Sequence, residues 1–439
     1  MAASYLARGR NEEAVFELFI RSLPPQRAFL LFAGLQPALG LLLSLSFGEP
    51  ELAYLRSLGY PEALLNHLAG WRFRGSVEAV PEGTVVFAGE PLLRVTAPRI
   101  DGQLLETVLL NQIVFQTAVA SKAARVVLAA GGGAAGRGEA VVDFSPRRDH
   151  GVDAALKVAR AAWIAGAGGT SNLAAAARYG IPAVGTMAHS YVLSFPSELE
   201  AFCAFLEDNP REAVLLVDTY DPLQGVRNAI EASRRTGVPL HGIRIDSGDL
   251  LALSREARRL LDEAGLQATR IVASGDLEER QIARLLAAGA PIDSFGVGTE
   301  LGVSRDVPVL PGVYKLVAQR RGEGWQAVAK RSVDKETVGG VKEVVRVERD
   351  GAFVEDLVVG AAERERALGV AGRGERRRPL LRPYIKDGKP LYAEGLEEIR
   401  RRARRELERL PKELRELKEP APTYPVRFSA ALVGAGQPA

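Results

Sequence analysis

At 439 residues the chain is too long for one ordinary hydrophobic core, and two or three domains are expected. Apolar residues make up 47% and charged residues 25%, an ordinary globular balance, and a net charge of +3 argues against nucleic acid as a partner. Gln36, Pro37 and Ser44 interrupt the longest early apolar stretch, so no membrane span is expected. Arg8, Arg10, Glu12 and Glu13 come too early for a signal peptide, so the expected location is cytoplasmic. Cys203 is the only cysteine, which excludes an internal disulfide and a cysteine-based zinc site. Abundant Arg and Pro with scarce Cys and Met fit either a thermophile or a GC-rich genome.

In chain order, residues 1–70 read as helical, with Phe16, Leu18, Phe19 and Leu23 before Pro24-Pro25 and a long apolar helix from Phe29 to Leu45. Short β runs at 77–80, 84–87 and 92–95, separated by Pro81-Glu82-Gly83 and Ala88-Gly89-Glu90, predict a small antiparallel sheet. A helix over 104–130 carries Glu106, Asn111 and Lys122, and the glycine-rich stretch 131–138 reads as a linker. From 140 to 300 apolar runs alternate with amphipathic segments. The runs start near Ala140, Ile181, Val214, Gly242, Arg270 and Ser294, and they predict a parallel α/β barrel, closed or nearly so. After residue 312 the pattern returns to β, and a charged helix from Leu396 to Leu417 reads as a solvated face. The domains expected are 1–118 (helices and a small sheet), 119–304 (an irregular or incomplete TIM-like barrel) and 305–439, which completes an α+β domain with the first segment.

The candidate chemistry sits at the predicted strand ends. His189 closes the run Ile181–Ser190 and is one of only four histidines. Asp218 and Asp246 each end an apolar strand, where paired carboxylates can hold Mg²⁺; helix N-capping is the competing reading. Arg244 shares a strand face with Asp246 and needs an anionic or aromatic partner. Ser274-Gly275 and Gly298-Thr299 precede helices late in the barrel, a usual place for phosphate. Phe144 beside Arg147 suggests an aromatic acid stacked on the ring, against the plainer reading of a core Phe next to surface arginines. Lys330 and Lys335, with Lys342, form a basic run that reads as solvated surface or, at a barrel mouth, as a diphosphate contact.

Taken together these runs resemble the nicotinate phosphoribosyltransferase family. The matching segments are Phe16-Glu17-Leu18-Phe19, Phe32–Leu35, Leu110–Gln112, Phe115–Thr117, Ser121–Arg125, Phe144–Arg148 and Gly169–Asn172. They continue through Gly185–Ser190, Val217–Asp221, Ile243–Asp249, Phe295–Leu301 and Lys330–Lys342, collinear over nearly the whole chain. The resemblance implies transfer of phosphoribosyl from phosphoribosyl pyrophosphate (PRPP) to nicotinate, an entry step of NAD salvage, with Mg²⁺ and with ATP as co-substrate. It implies that His189 is phosphorylated by ATP and that Phe144 and Arg244 sandwich the pyridine. It further implies that Asp218 and Asp246 lie near ribose and Mg²⁺, and that Gly275, Gly298 and Thr299 cradle the 5′-phosphate. A homodimer with shared active sites would bring Lys330 and Lys335 to the partner's barrel.

Two departures stand out. Relatives carry a Thr-Asp-x-Tyr segment upstream of the position of Met1, and Tyr5 is not its equivalent; the expectation is either a misassigned start or one aromatic wall fewer. Ser145-Pro146 replaces the usual glycine after Phe144. Among neighbouring activities, nicotinamide phosphoribosyltransferase carries an Asp where Ser171 stands, and Ser171 with Arg147 suits the acid. Quinolinate phosphoribosyltransferase does not use the phosphorylated His. A catalytically dead ligand-binding paralogue is disfavoured by His189, Asp218, Arg244 and Asp246.

Overall fold

The chain folds in a computed structural model that describes residues 1–131, 140–211, 213–330, 337–369, 372 and 374–434. It divides into two compact units, Val119–Pro308 and the combination of Met1–Ala118 with Val309–Ala439.

The discontinuous unit is built on a seven-stranded antiparallel sheet in the order Gly324–Ala327, Gly312–Arg321, Glu13–Ile20, Leu93–Pro98, Ser76–Ala79, Arg382–Lys386 and Lys389–Pro390. Glu13–Ile20 is therefore a strand, where the sequence reading expects helix. Its apolar residues satisfy either period, and pairing decides. It is held on one side by Gly312–Arg321 and on the other by Leu93–Pro98, and nearly every residue is buried. Glu17 lies inside this strand with no exposure and is neutralised by Lys342 Nζ at 2.7 Å. The helix expected from Phe29 begins only at Leu35, after the strand Leu30–Leu31 pairs with Val85–Val86. A second sheet of four strands runs Glu375–Pro379, Lys342–Arg349, Ala352–Gly360 and Val426–Phe428. The charged helix ends at Arg409 instead of Leu417, because Pro411 cannot continue it, and a short turn of helix follows at Lys412–Arg415. The helix over 104–130 forms as Glu106–Ala129.

The Val119–Pro308 unit carries a curled parallel sheet, an incomplete barrel. Its order is Gly169–Thr170, Val141–Asp143, Ser294–Val297, Arg270–Ala273, Gly242–Ile245 and Val214–Leu216. A single parallel bridge from Thr170 to Ala183 extends the first edge. The ends of the ladder are thus the segment at Ala183 and the strand Val214–Leu216. The helices Val152–Ala165, Pro222–Thr236, Leu250–Glu263 and Glu279–Ala287 each bury an apolar stripe, as the amphipathic spacing predicts. Among the described residues no helix is long and apolar enough to cross a membrane.

Gly225 sets the seating of one of these helices. A Cβ at this position would lie 1.9 Å from the Val217 carbonyl oxygen, so the helix Pro222–Thr236 can approach the strand end only without a side chain. Gly225→Ala should therefore cost about 1–3 kcal/mol of stability in denaturant unfolding, although alanine is the better helix former.

Candidate active site

Five of the six strands of the curled sheet deliver a polar or aromatic group just past their C-terminal ends, the edge where such folds place their chemistry, and the sixth delivers a glycine. Phe144 follows Val141–Asp143, Ser171 follows Gly169–Thr170, Asp218 follows Val214–Leu216, and Asp246 follows Gly242–Ile245. Ser274 follows Arg270–Ala273, and Gly298 follows Ser294–Val297. His189 opens the short helix His189–Leu193 beyond the bridged edge at Ala183.

Arg244 is the most constrained of these residues. Its Nε donates to Ser274 Oγ at 2.8 Å, Nη1 to Thr186 Oγ1 at 2.6 Å, and Nη2 to Asp246 Oδ1 at 2.9 Å. Ser274 Oγ in turn donates to Asp246 Oδ1 at 2.5 Å. Burial alone would raise the Asp246 carboxyl; the bonds from Ser274 and Arg244, with the charges of Arg244 and His189, outweigh it and hold Asp246 below the usual carboxylate range. Asp218 Oδ2 accepts from the Asp246 amide at 2.9 Å and from Ser247 Oγ at 2.7 Å, while its Oδ1 is buried without a hydrogen-bond partner. N-capping does not account for either carboxylate: the helices that follow are capped by Asp221 and Asp249.

His189 bridges the two ends of the ladder. Its Nδ1 lies 3.1 Å from Thr219 Oγ1, and its Nε2 faces Asp246 Oδ2 at 3.8 Å, beyond hydrogen-bond range. The side chain is 42% exposed, so one edge of the imidazole remains open to a ligand.

Phe144 stands opposite Arg244, whose Cζ is 5.6 Å from the ring centroid. A flat ring inserted between them would need about 7 Å, two van der Waals spacings, so the pair must part to admit one. The Phe144 ring itself occupies the space where Gly296 lacks a side chain, since a Cβ there would meet ring atoms at 2.4 Å. Gly275 has φ +94° and a virtual Cβ 1.9 Å from the Asp246 carbonyl, which only glycine accommodates. Gly298 and Thr299 open the one-turn helix Thr299–Gly302, whose first amides precede any intrahelical bond.

Behind Phe144 lies a second carboxylate pair. Asp143 is fully buried and accepts from Thr170 Oγ1 at 2.8 Å, the Ser145 amide at 2.9 Å and Ser145 Oγ at 2.6 Å. Ser145 Oγ is also 3.1 Å from Asp149 Oδ2. One hydroxyl proton cannot serve two carboxylates, so the arrangement favours a protonated Asp149 that donates to Ser145. Burial, reinforced by the charge of Asp143, pushes Asp149 up to about 6.

Other sequence candidates sit differently. Ser171 donates to the Asp143 carbonyl at 3.1 Å. Arg147 is exposed and forms no ion pair among the described residues. Lys330 is exposed in the other unit, with its backbone amide bonded to Thr337 Oγ1, and Lys335 lies outside the described residues. The sequence reading missed Thr186, Thr219 and Ser247. Of these only Thr219 and Ser247 carried a signal, as hydroxyls next to strand-end carboxylates.

Comparison with known proteins bears on what this constellation serves. The chain matches the nicotinate phosphoribosyltransferase (NAPRTase) family over residues 140–342, with the family's N-terminal domain over 1–114 and its C-terminal domain over 365–434. It belongs to that family. It is 47% identical to "Nicotinate phosphoribosyltransferase pncB2" of Mycobacterium tuberculosis, across 99% of this chain and 90% of the relative. It is 43% identical to "Nicotinate phosphoribosyltransferase" of Bacillus subtilis, across 79% of this chain and 71% of that one. The crystal structure of human nicotinic acid phosphoribosyltransferase superposes with a TM-score of 0.84 at 28% identity, covering 99% of this chain and 97% of the human one.

Asp149 gives a pH dependence with a defined sign. Its folded pKa lies above the unfolded carboxylate value, so the native state binds the extra proton between roughly pH 4 and 6, and stability falls as pH rises through that window. Asp149→Asn should raise the melting temperature at pH 7 to 8, and the gain should vanish below about pH 4.

Proposed function

We propose that the chain transfers the phosphoribosyl group of PRPP to the ring nitrogen of nicotinate, releasing diphosphate, as an entry step of NAD salvage. The family membership over nearly the full chain supports the reaction class. The observation that carries the site assignment is the Arg244 network, which brings Asp246, Ser274 and the Phe144 face to one rim.

In this reading the pyridine enters between Phe144 and Arg244. Arg244 is fixed by three partners, so Phe144 gives way. The ring nitrogen attacks C1 of the ribose as the bond from C1 to the diphosphate oxygen breaks, and the leaving group departs with the electron pair. Asp246, held ionised, faces the cationic sugar that develops, with Asp218 beside it. Among the described residues no group of three or more His, Cys, Asp or Glu could hold a metal ion by itself. The partnerless Asp218 Oδ1 nonetheless suits a hard cation. Asp218 and Asp246 would hold Mg²⁺ with substrate oxygens and water, and its charge would neutralise the diphosphate. Ser274, Gly275, Gly298 and Thr299 line the place for the 5′-phosphate.

His189 is the proposed phosphoryl acceptor. In the tautomer whose Nδ1–H donates to Thr219 Oγ1, the lone pair lies on Nε2, which takes the γ-phosphoryl of ATP as ADP leaves; hydrolysis of that phosphohistidine then drives the transfer. A homodimer in which Lys330 and Lys335 reach the partner's diphosphate completes the reading, with a cytoplasmic location.

Purified protein given nicotinate, PRPP and Mg²⁺ should form nicotinate mononucleotide, faster with ATP; product from nicotinamide alone would overturn the substrate assignment. His189→Asn should abolish enzyme phosphorylation and ATP hydrolysis and leave residual transfer indifferent to ATP, and continued stimulation by ATP would refute the role given to His189. Gly296→Ala should displace the Phe144 ring and raise the KM for nicotinate by about tenfold or more, with a smaller change in the KM for PRPP.

A further inference from the structure

The discontinuous unit contains a cavity of about 230 Å³ lined by six arginines: Arg376, Arg378, Arg382, Arg402, Arg405 and Arg409. Their convergence follows from secondary structure. Arg376 and Arg378 share one face of the strand Glu375–Pro379, and Arg402, Arg405 and Arg409 share one face of the helix Leu396–Arg409.

The carboxylates nearby do not balance them. Arg378 bonds Glu348 at 2.7 Å and Glu406 at 2.5 Å, and Arg409 reaches the same Glu348 at 3.5 Å. Arg402 is held by Glu394 and, at 3.8 Å, by Glu398. Glu406 is itself shared with the fully buried Arg346, at 3.1 Å. Arg376, Arg382 and Arg405 make no ion pair among the described residues, and all three are exposed. The cavity thus has a neutralised floor and a mouth of free guanidinium groups. Thr84, which is wholly buried, lines the same cavity, and its Oγ1 has no hydrogen-bond partner.

We propose that this cavity binds a compact phosphoanion, orthophosphate or diphosphate. Three guanidinium groups held together without counter-charge repel one another, and an anion with several oxygens relieves that repulsion while accepting forked hydrogen bonds. The free Thr84 hydroxyl adds a neutral donor. The volume suits an inorganic anion and is below that of ordinary cofactor pockets. The proposal is independent of the transfer reaction assigned to the other unit.

Three measurements test it. Tungstate soaked into crystals should give an anomalous peak among Arg376, Arg382 and Arg405. Calorimetric titrations with orthophosphate and with diphosphate, run separately, identify which binds more tightly. Arg382→Ala with Arg405→Ala should weaken the tighter one by at least about tenfold, at an unchanged melting temperature because both residues are exposed. The doubly Lys-substituted variant, which keeps charge but loses the fork, should fall between. Absence of the tungstate peak, a variant that titrates like the parent, or equal displacement by chloride would each overturn the proposal.

Discussion

The candidate site depends on how the charge of Arg244 is contained. Its side chain is 14% exposed, and a guanidinium so placed is costly unless each donor is satisfied. The solution joins three stretches of chain distant in sequence: Thr186, the Arg244–Asp246 strand end and Ser274. The same bonds keep Asp246 ionised and fix the plane that faces Phe144. One residue therefore links the rim's geometry to its charge. Asp218 extends the arrangement by bonding the Asp246 amide and Ser247, leaving one oxygen free for a ligand.

Glycines make the arrangement sterically possible. Gly225 lets a helix close on the Val217 carbonyl beside Asp218, Gly275 lets the Ser274 turn pass over Asp246, and Gly296 yields its side-chain space to Phe144. In each case the atom that a methyl group would meet belongs to, or adjoins, a group at the strand-end rim. Close packing at these points converts the loose tendency of α/β folds to place polar residues at strand ends into fixed positions.

Much of the barrel was legible because its strands are short apolar runs bounded by helices of matching amphipathic period. Asp218, Asp246 and Ser274 could be placed at strand ends for the same reason, since a residue just past an apolar run has only one edge of the sheet to occupy; His189 follows a single bridge at Ala183 where a strand was expected, and Arg244 lies within its strand. The strand Glu13–Ile20 was not legible. Both of its partners lie far along the chain, so nothing local distinguished a doubly covered strand from a helix. Thr186 was hidden too, because its function rests on reaching Arg244 across 58 positions. The arginines of the helix Leu396–Arg409 read as a solvated face, and only the neighbouring strands make that face one wall of a cavity.

The rim also separates its carboxylates by environment. Asp246 receives a guanidinium and a hydroxyl and is held below the usual range, whereas Asp149 faces another carboxylate across a single hydroxyl and is pushed up to about 6. Near neutral pH the first stays charged toward the open rim, while the second loses its charge when the pH falls through 6, behind the Phe144 loop. Ser145 at this point thus does more than shape the loop. It supplies the hydroxyl that Asp143 and Asp149 compete for, and a proton on Asp149 resolves that competition with no rearrangement of the backbone. The loop carrying Phe144 is accordingly tightest when Asp149 is neutral. Phe144 is then held through its neighbour as well as by the packing of its ring on Gly296.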